Sequence, residues 1–181
     1  EHINAKCEKN DLLVLIGDTM MIDKNYNDFI SKINCKVIIL YGNHCNRNRF
    51  LEVTSDKLLY HGDYALLNID GQFIVCQHHP MFHWDYQSDG SWMLHGHTHA
   101  YESDILKLIH EYKCLDIGID SHFEKFKTYE IFSYDKIKDL LKNIAFNFRN
   151  NTNYDGSLKQ KDTKLKKEEI SNLGLSEKMA N

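Results

Sequence analysis

Short apolar runs alternate with polar turns through the first half of the chain. Residues 12–16 and 37–41 are continuous apolar runs, and each is followed at once by a polar turn that contains glycine. Between them, residues 26–33 carry apolar side chains at i, i+3, i+4 and i+7, which is one face of an amphipathic helix. The pattern predicts two buried parallel strands joined by a crossover helix, with both polar turns at the carboxyl edge of the sheet.

The second half of the chain predicts a hairpin followed by further strands and a helix. Residues 64–69 and 72–77 have the composition of strands, and Asp70-Gly71 between them is a strong hairpin signal. Residues 90–99 begin as a short apolar strand and end in a turn that carries three histidines. Further short stretches predict strands at 105–109, 113–117 and 129–132. Ser133 is then predicted to cap a helix whose apolar positions, at 137, 140, 141 and 144, keep helical spacing.

The composition changes after residue 146. An asparagine-rich stretch at 149–153 is followed by a lysine-rich run at 164–167. Segments of this polarity bury too little apolar surface to fold alone. We therefore expect a single domain over residues 1–146 and a polar, lysine-rich, flexible tail over residues 147–181.

Composition and charge narrow the functional class. The chain has 181 residues, 42% of them hydrophobic, and a net charge of −4, so nothing global favours nucleic acid or an anionic membrane as a partner. No apolar run approaches the length of a membrane span. The five cysteines are scattered and form no CxxC pair, which favours reduced thiols over a disulfide framework or a zinc ribbon. We expect a cytoplasmic protein with no membrane partner and no obligatory protein partner.

Side chains that can bind metal ions follow four of the predicted strands. They are Asp18, the pair Asn43 and His44, His78, and the pair His97 and His99. Residues two apart in an extended segment point to the same side, so His97 and His99 can present two imidazoles to one place. This set of oxygen and nitrogen ligands suits Mn, Fe, Zn or Ni. The alternative is a histidine-rich structural loop that binds no metal.

Four motifs, taken in order along the chain, resemble the signature of the calcineurin-like metallophosphoesterases. They are Gly17-Asp18, Gly42-Asn43-His44, His78-His79-Pro80 and Gly96-His97-Thr98-His99. The longer strings at 41–44 and 90–99 are similar to those of the small phage and bacterial members of that family. The resemblance covers about residues 12–141. It implies an α/β fold of the αββα sandwich type, with two packed mixed sheets and outer helices.

The resemblance also implies a ligand set for two divalent metal ions. Asp18 would bridge the two ions. Asn43, His78 and His97 would complete the second metal site. His99 would belong to the first site.

A catalytic role for His44 follows from the same resemblance. This histidine would face the substrate phosphate, together with Asn43, and would stabilise it or protonate the leaving oxygen. The family usually has an acidic residue directly after this histidine, whereas this chain has Cys45. A thiol is a poor partner for orienting an imidazole.

A second departure concerns the N-terminus. The family begins with an Asp-x-His motif at the end of its first strand, and nothing in this chain matches it. The sequence starts without methionine, which fits an N-terminal truncation that removes this strand. We expect the chain to keep a complete second metal site and half of the first, and to be poorly active. The complete protein would hold two ions.

Neighbouring polar residues are expected to have supporting roles. His79 falls on the opposite side of an extended segment from His78, and Gly96 should break the alignment of His95 with His97. We therefore expect neither His79 nor His95 to be a metal ligand. Three further residues are expected to be ordinary or structural: His110, Asp116 and Asp120.

The function implied by the resemblance is hydrolysis of a phosphate ester. The protein would be a metal-dependent hydrolase that cleaves a phosphomonoester or phosphodiester through a metal-activated water. Thr19-Met20-Met21 after Asp18 lacks the continuation found in Ser/Thr protein phosphatases, so protein dephosphorylation is not expected. The substrate classes left open are a small molecule, a nucleotide or a nucleic-acid end. The alternative is a non-catalytic metal-binding or interaction remnant of the same fold.

Overall fold

A computed structural model of the protein describes residues 3–19, 25–101 and 103–144. These residues all belong to the compact unit Glu1–Phe146. The predicted tail over residues 147–181 lies outside the described residues. Across the described part, the protein is a mixed α/β structure with one three-stranded and one four-stranded sheet.

The first sheet consists of parallel strands in chain order. They are β1 (Leu12–Ile16), β2 (Lys36–Leu40) and β3 (Leu58–Gly62). Helix α1 (Tyr26–Ser31) connects β1 to β2, and the side chain of Asn25 caps it by accepting the N–H of Asn27. The predicted β-α-β unit is confirmed. The edge strand β3 was not predicted, because Leu59 and Tyr60 are both exposed and no alternation marks the strand.

The second sheet begins with the predicted hairpin. Its strands, in order across the sheet, are β4 (Tyr64–Ile69), β5 (Gln72–Gln77), β6 (Trp92–His95) and β7 (Cys114–Asp116). The pair β4 and β5 is antiparallel, and the pairs β5–β6 and β6–β7 are parallel. The predictions of the hairpin and of strands near 92–95 and 113–117 are confirmed.

Two predicted strands are wrong. The segment predicted as a strand at 105–109 belongs to helix α2 (Asp104–His110), which Ser103 caps by accepting the N–H of Leu106. Its apolar residues have helical burial, because Leu106 and Ile109 are buried while Ile105 is exposed. Residues 129–132 contain no strand.

Two further α-helices follow β7, and the described residues also contain short 3-10 helices at Arg47–Glu52 and Gln87–Asp89. Helix α3 (Ile119–Phe126) follows β7 closely, and the side chain of Asp116 accepts the N–H of Gly118 between the two elements. This helix was not predicted. Helix α4 (Tyr134–Leu141) is capped by Ser133, as predicted.

The apolar side chains form three layers around the sheets. Ile38 and Leu40 of β2 belong to a core cluster that also contains Cys76 and Leu94 of the second sheet, so the two sheets pack against each other. The opposite face of β2 packs against α1, and the opposite face of the second sheet packs against α2. Within the described residues, no helix is both long and apolar enough to cross a membrane.

Candidate metal centre

The polar residues predicted to bind metal lie at the carboxyl ends of strands from both sheets. Asp18 follows β1 and Asn43 follows β2, while His78 follows β5 and His97 follows β6. Parallel strands place their carboxyl ends at the same edge, and a backbone hydrogen bond from Gly96 N–H to the His78 carbonyl holds the β5 and β6 ends together. The structure therefore brings these four side chains to one edge of the two packed sheets.

The atoms that could bind a metal face one another closely. Nε2 of His78 lies 2.9 Å from Oδ1 of Asn43 and 3.2 Å from Nδ1 of His97. Nδ1 of His97 lies 2.9 Å from the same Asn43 oxygen. The carboxylate of Asp18 reaches Nε2 of His78 at 3.3 Å. His78 is thus the centre of the group.

These separations match those of ligands that share a metal ion. Nitrogen and oxygen ligands lie about 2.0–2.2 Å from zinc, so neighbouring ligand atoms are separated by about 3.3–3.6 Å around a tetrahedral ion and by about 2.8–3.1 Å around an octahedral one. The donor set consists of two imidazoles, one amide oxygen and one carboxylate, which suits a borderline divalent metal. The residues therefore fit a divalent metal ion.

Two glycines make the close approach possible. Gly17 has φ +83°, and a Cβ atom there would overlap the ring of His78 at Nδ1. A Cβ atom on Gly42 would overlap the carboxylate of Asp18. The glycines of the Gly-Asp and Gly-Asn-His motifs are therefore required by the packing of the site and not only by the turns.

The turn that carries His97 and His99 is strained. His97, His99 and Ala100 all have positive φ values, at +68°, +48° and +62°. Residues other than glycine adopt this conformation at a cost, and such strain concentrates at functional sites. The turn holds the His97 ring against Asn43 and His78 despite this cost.

His79 lies closer to the site than predicted. Its ring centroid is 4.2 Å from that of His97, and its ring nitrogen belongs to a group with those of His78 and His97 in which all atoms lie within 4.8 Å. The prediction that His79 points away from this group is wrong. Strand β5 ends at Gln77, so the strict alternation of an extended strand does not reach residue 79.

His44 contacts Asp18, and Cys45 contacts the backbone of the same turn. The backbone N–H of His44 donates to Oδ1 of Asp18 at 2.9 Å, and the His44 side chain is exposed. The thiol of Cys45 accepts the N–H of Gly42 at 3.3 Å. The thiol thus supports the turn that carries Asn43 and His44.

His99 is not brought into the group around His78. Its Nδ1 lies 2.6 Å from Oδ2 of Asp120, and both side chains are exposed.

Asp116 is buried and accepts hydrogen bonds from Thr98 and from the Gly118 N–H. Burial alone would raise the pKa of Asp116, but these bonds and one from Ser121 outweigh it and lower the pKa. Asp116 therefore anchors the histidine turn through Thr98.

Burial favours the neutral form of two histidines in the site. It lowers the pKa of His78, although the nearby carboxylate of Asp18 acts in the opposite direction. Burial and the neighbouring ring of His97 lower the pKa of His79. Neutral imidazole is the form that binds metal ions, so the site favours that form near pH 7.

A second group of potential ligands lies elsewhere in the described residues. It consists of His95, His110 and Cys114, with one donor atom from each within 4.8 Å of the others. His95 was expected not to join the metal site that contains His97. The structure agrees, because the ring of His95 faces His110. The pairing of His110 was missed, since the sequence prediction placed the segment before it in a strand. The H-x₃-C spacing of His110 and Cys114 is the sequence signal for this group.

Comparisons with known proteins support the fold but not an activity. No protein-family model matches the chain, and no curated protein matches it. The chain is similar to the crystal structure of a protein of unknown function from Aquifex aeolicus, with a TM-score of 0.57 and 16% sequence identity. The match covers 77% of this chain and 81% of that chain. At this identity, the likeness concerns the α/β fold alone.

Proposed function

We propose that the protein is a metal-dependent phosphoesterase with the αββα sandwich of the calcineurin-like metallophosphoesterases. The observation that carries the proposal is the convergence of Asn43, His78 and His97 within 3.2 Å of one another, with Asp18 beside them. These residues come from four separate motifs that resemble the family signature. The two packed sheets, with the site at their carboxyl edges, are consistent with that fold.

One divalent ion would be held by Asp18, Asn43, His78 and His97. A bound ion supplies the positive charge that polarises a phosphate ester and makes water a better nucleophile at neutral pH. Mn, Fe, Zn and Ni are the candidates, because all accept mixed oxygen and nitrogen ligands. The burial of His78 keeps its imidazole neutral and ready to bind the ion.

A second ion would use His99. Asp120 accepts the Nδ1–H of His99, which leaves Nε2 as the nitrogen that can bind metal. A carboxylate that fixes the tautomer and the ring orientation in this way is the usual partner of a metal-binding histidine. Asp18 would be shared between the two ions.

His44 is the proposed proton donor to the leaving oxygen. Its backbone is fixed on Asp18, so its exposed ring extends from the edge of the metal centre toward solvent, where a substrate would enter. An imidazole can donate and accept protons near neutral pH. Asn43 and His44 together would contact the phosphate group of a small molecule, a nucleotide or a nucleic-acid end.

The test is hydrolysis by metal-free protein to which Mn²⁺ is returned. We expect cleavage of a chromogenic phosphomonoester or phosphodiester, loss of cleavage with chelator, and a loss of kcat/KM on the order of 100-fold or more in His97→Ala. His83→Ala removes an exposed histidine that contacts Gln87 and is not one of the proposed ligands, and it is the matched control. Hydrolysis that is unchanged in both Asp18→Ala and His97→Ala would place the activity elsewhere and overturn the proposal.

A non-catalytic metal-binding protein is the second candidate. The observation that favours it is Cys45, whose thiol bonds to the Gly42 N–H at the position where the family has an acidic residue. In that case Mn²⁺ binding would be measurable by calorimetry and lost in His97→Ala, while hydrolysis would be absent from the wild-type protein with every candidate metal.

A further inference from the structure

His95, His110 and Cys114 meet between helix α2 and the outer face of the second sheet. His95 is the last residue of β6, His110 is the last residue of α2, and Cys114 is the first residue of β7. The three residues therefore sit at fixed ends of three different elements. None of them has a role in the proposed phosphoesterase site.

Strand register explains why two of these side chains share a face. In the parallel pair β6–β7, Met93 is opposite Cys114 and His95 is opposite Asp116. Paired residues, and residues two apart on one strand, point to the same side of a sheet. Met93 and Cys114 pack in one cluster with Leu106 of α2, so this is the face that α2 covers. The last turn of α2 then brings His110 onto His95.

The hydrogen bonds of His95 define which nitrogen is available. Its Nδ1 lies 2.9 Å from the carbonyl oxygen of Gly96, and a carbonyl can only accept, so Nδ1 carries the hydrogen. In the neutral ring, Nε2 is then a bare lone pair, and it faces Nε2 of His110 at 3.0 Å. Donation of the other ring N–H to a backbone carbonyl is the usual second contact of a metal-binding histidine.

Burial separates this group from an ordinary surface cluster. His95 is fully buried, Cys114 is 2% exposed, and His110 is partly exposed. Burial also raises the pKa of the Cys114 thiol to about 12. The simplest alternative is a buried thiol beside a hydrogen bond between two imidazoles, with no metal. A metal site and this metal-free arrangement differ in one measurable respect: only the metal site has the sulfur of Cys114 bonded to an added ion.

We propose that His95, His110 and Cys114 form a site for Zn²⁺ that fastens the end of α2 to the second sheet. Two neutral imidazoles and one thiolate are ligands that zinc accepts, and water would complete four-coordination. On binding, the Cys114 thiol releases its proton to solvent and the sulfur forms a bond to the ion. Nothing is oxidised or reduced.

Sulfur makes this site distinguishable from the centre around His78. Co²⁺ replaces zinc in such sites, and a thiolate ligand adds a charge-transfer absorption that nitrogen and oxygen ligands do not give. Chelator-treated protein, kept under reducing conditions, is therefore titrated with Co²⁺ and its absorption is recorded. We expect the thiolate band in the wild-type protein, its loss in Cys114→Ala, and its displacement by Zn²⁺.

Matched variants identify the sulfur. Cys45 lies on the turn that carries Asn43 and His44, so Cys45→Ala tests whether the band arises at the other centre. We expect the band to persist in Cys45→Ala and in His97→Ala. His110→Ala changes a partly exposed residue, so it can be used to test the site if Cys114→Ala does not fold. We expect at least a 10-fold loss of cobalt affinity in His110→Ala. Absence of the band from the wild-type protein, its loss in Cys45→Ala, or unchanged cobalt binding in His110→Ala would each overturn the proposal.

Discussion

Gly17 determines how closely His78 can approach the end of β1, and Gly71 offers a control for its backbone strain. The two glycines have nearly equal positive φ values, +83° and +82°. A Cβ on Gly17 would overlap the His78 ring, whereas a Cβ on Gly71 would meet nothing within 4 Å. We expect Gly71→Ala to lower the free energy of unfolding by about 1–2 kcal/mol through strain alone.

For Gly17→Ala we expect a larger loss of stability than for Gly71→Ala, because the ring of His78 must also move. We also expect Mn²⁺ affinity to fall at least about 10-fold, since the moved ring no longer faces Asn43. Urea unfolding measures the first effect and titration calorimetry the second. Equal effects of the two substitutions on Mn²⁺ affinity would contradict this role of Gly17.

His95 makes the stability of the metal-free protein depend on pH. Burial lowers its pKa from the ordinary 6.5. As the pH falls below about 6.5, the unfolded chain binds a proton that native His95 does not, so the free energy of unfolding decreases until the native residue is protonated. The slope from this one group reaches about 1.4 kcal/mol per pH unit.

The effect is measured by urea unfolding in the presence of chelator between pH 7.5 and about 5. We expect a shallower pH slope for His95→Gln than for the wild type. His78 and His79 also have lowered pKa values and contribute with the same sign, so part of the slope should remain. An unchanged slope in His95→Gln would show that His95 is not one of the groups responsible.

How far single residues could be predicted depended on whether they follow a regular strand. Asp18 and Asn43 come directly after buried parallel strands, so their meeting at one edge follows from topology. His79 was placed wrongly because the strand stops at Gln77 and alternation no longer applies. The rings of His97 and His99 do not share one contact, because positive φ values at residues 97 and 99 break the extended geometry that would align them; the assignment of His99 to a separate first metal site stays a prediction.

Helix α2 shows why the second group of ligands escaped prediction. A short, mostly apolar run such as 105–109 is compatible with a buried strand or with a helix, and only the burial of Leu106 and Ile109 against the sheet decides between them. A strand prediction gives no reason for His110 to lie over β6. The helix places His110 in its last turn, where it meets His95.

The caps of α2 and α4 provide a matched pair of substitutions. Ser103 accepts the N–H of Leu106, and Ser133 accepts the N–H of Lys136, both at 3.2 Å. We expect Ser103→Ala and Ser133→Ala each to cost about 0.5–2 kcal/mol in the free energy of unfolding. Only Ser103→Ala should weaken cobalt binding at the thiolate site, since only α2 carries a ligand. Equal effects of both substitutions on the thiolate band would contradict a link between α2 and the site.

On the scale of the whole molecule, the apolar pattern predicts strands but not how the sheets face each other. Strand β2 is apolar on both faces, so its sequence does not tell which face meets α1 and which meets the other sheet. The structure resolves this: Val37 and Ile39 pack on the α1 side, and Ile38 and Leu40 pack toward the second sheet. Contacts between residues of different sheets, such as Asn43 with His78, depend on which face of β2 packs against the second sheet.

Because the metal centre takes residues from both sheets, ion binding should stabilise their packing. Asp18 and Asn43 follow strands of the first sheet, and His78 and His97 follow strands of the second. An ion that binds only the native state raises the free energy of unfolding by about 2.7 kcal/mol at a concentration of 100 times its Kd. Mn²⁺ is the appropriate probe, since it favours oxygen and nitrogen ligands over the thiolate of Cys114.

We expect the urea midpoint of the wild-type protein to rise with Mn²⁺ concentration, and the rise to disappear in Asp18→Ala as well as in His97→Ala. Loss of a ligand from either sheet should have the same consequence, because each sheet supplies two of the four ligands and either substitution weakens the binding of the ion that links the sheets. Cys114→Ala should keep the full Mn²⁺-dependent rise if it folds, and His110→Ala should do so in any case. A rise that survives in both Asp18→Ala and Asn43→Ala but not in His97→Ala would mean that the ion is held by the second sheet alone. The proposed bridge between the sheets would then be wrong.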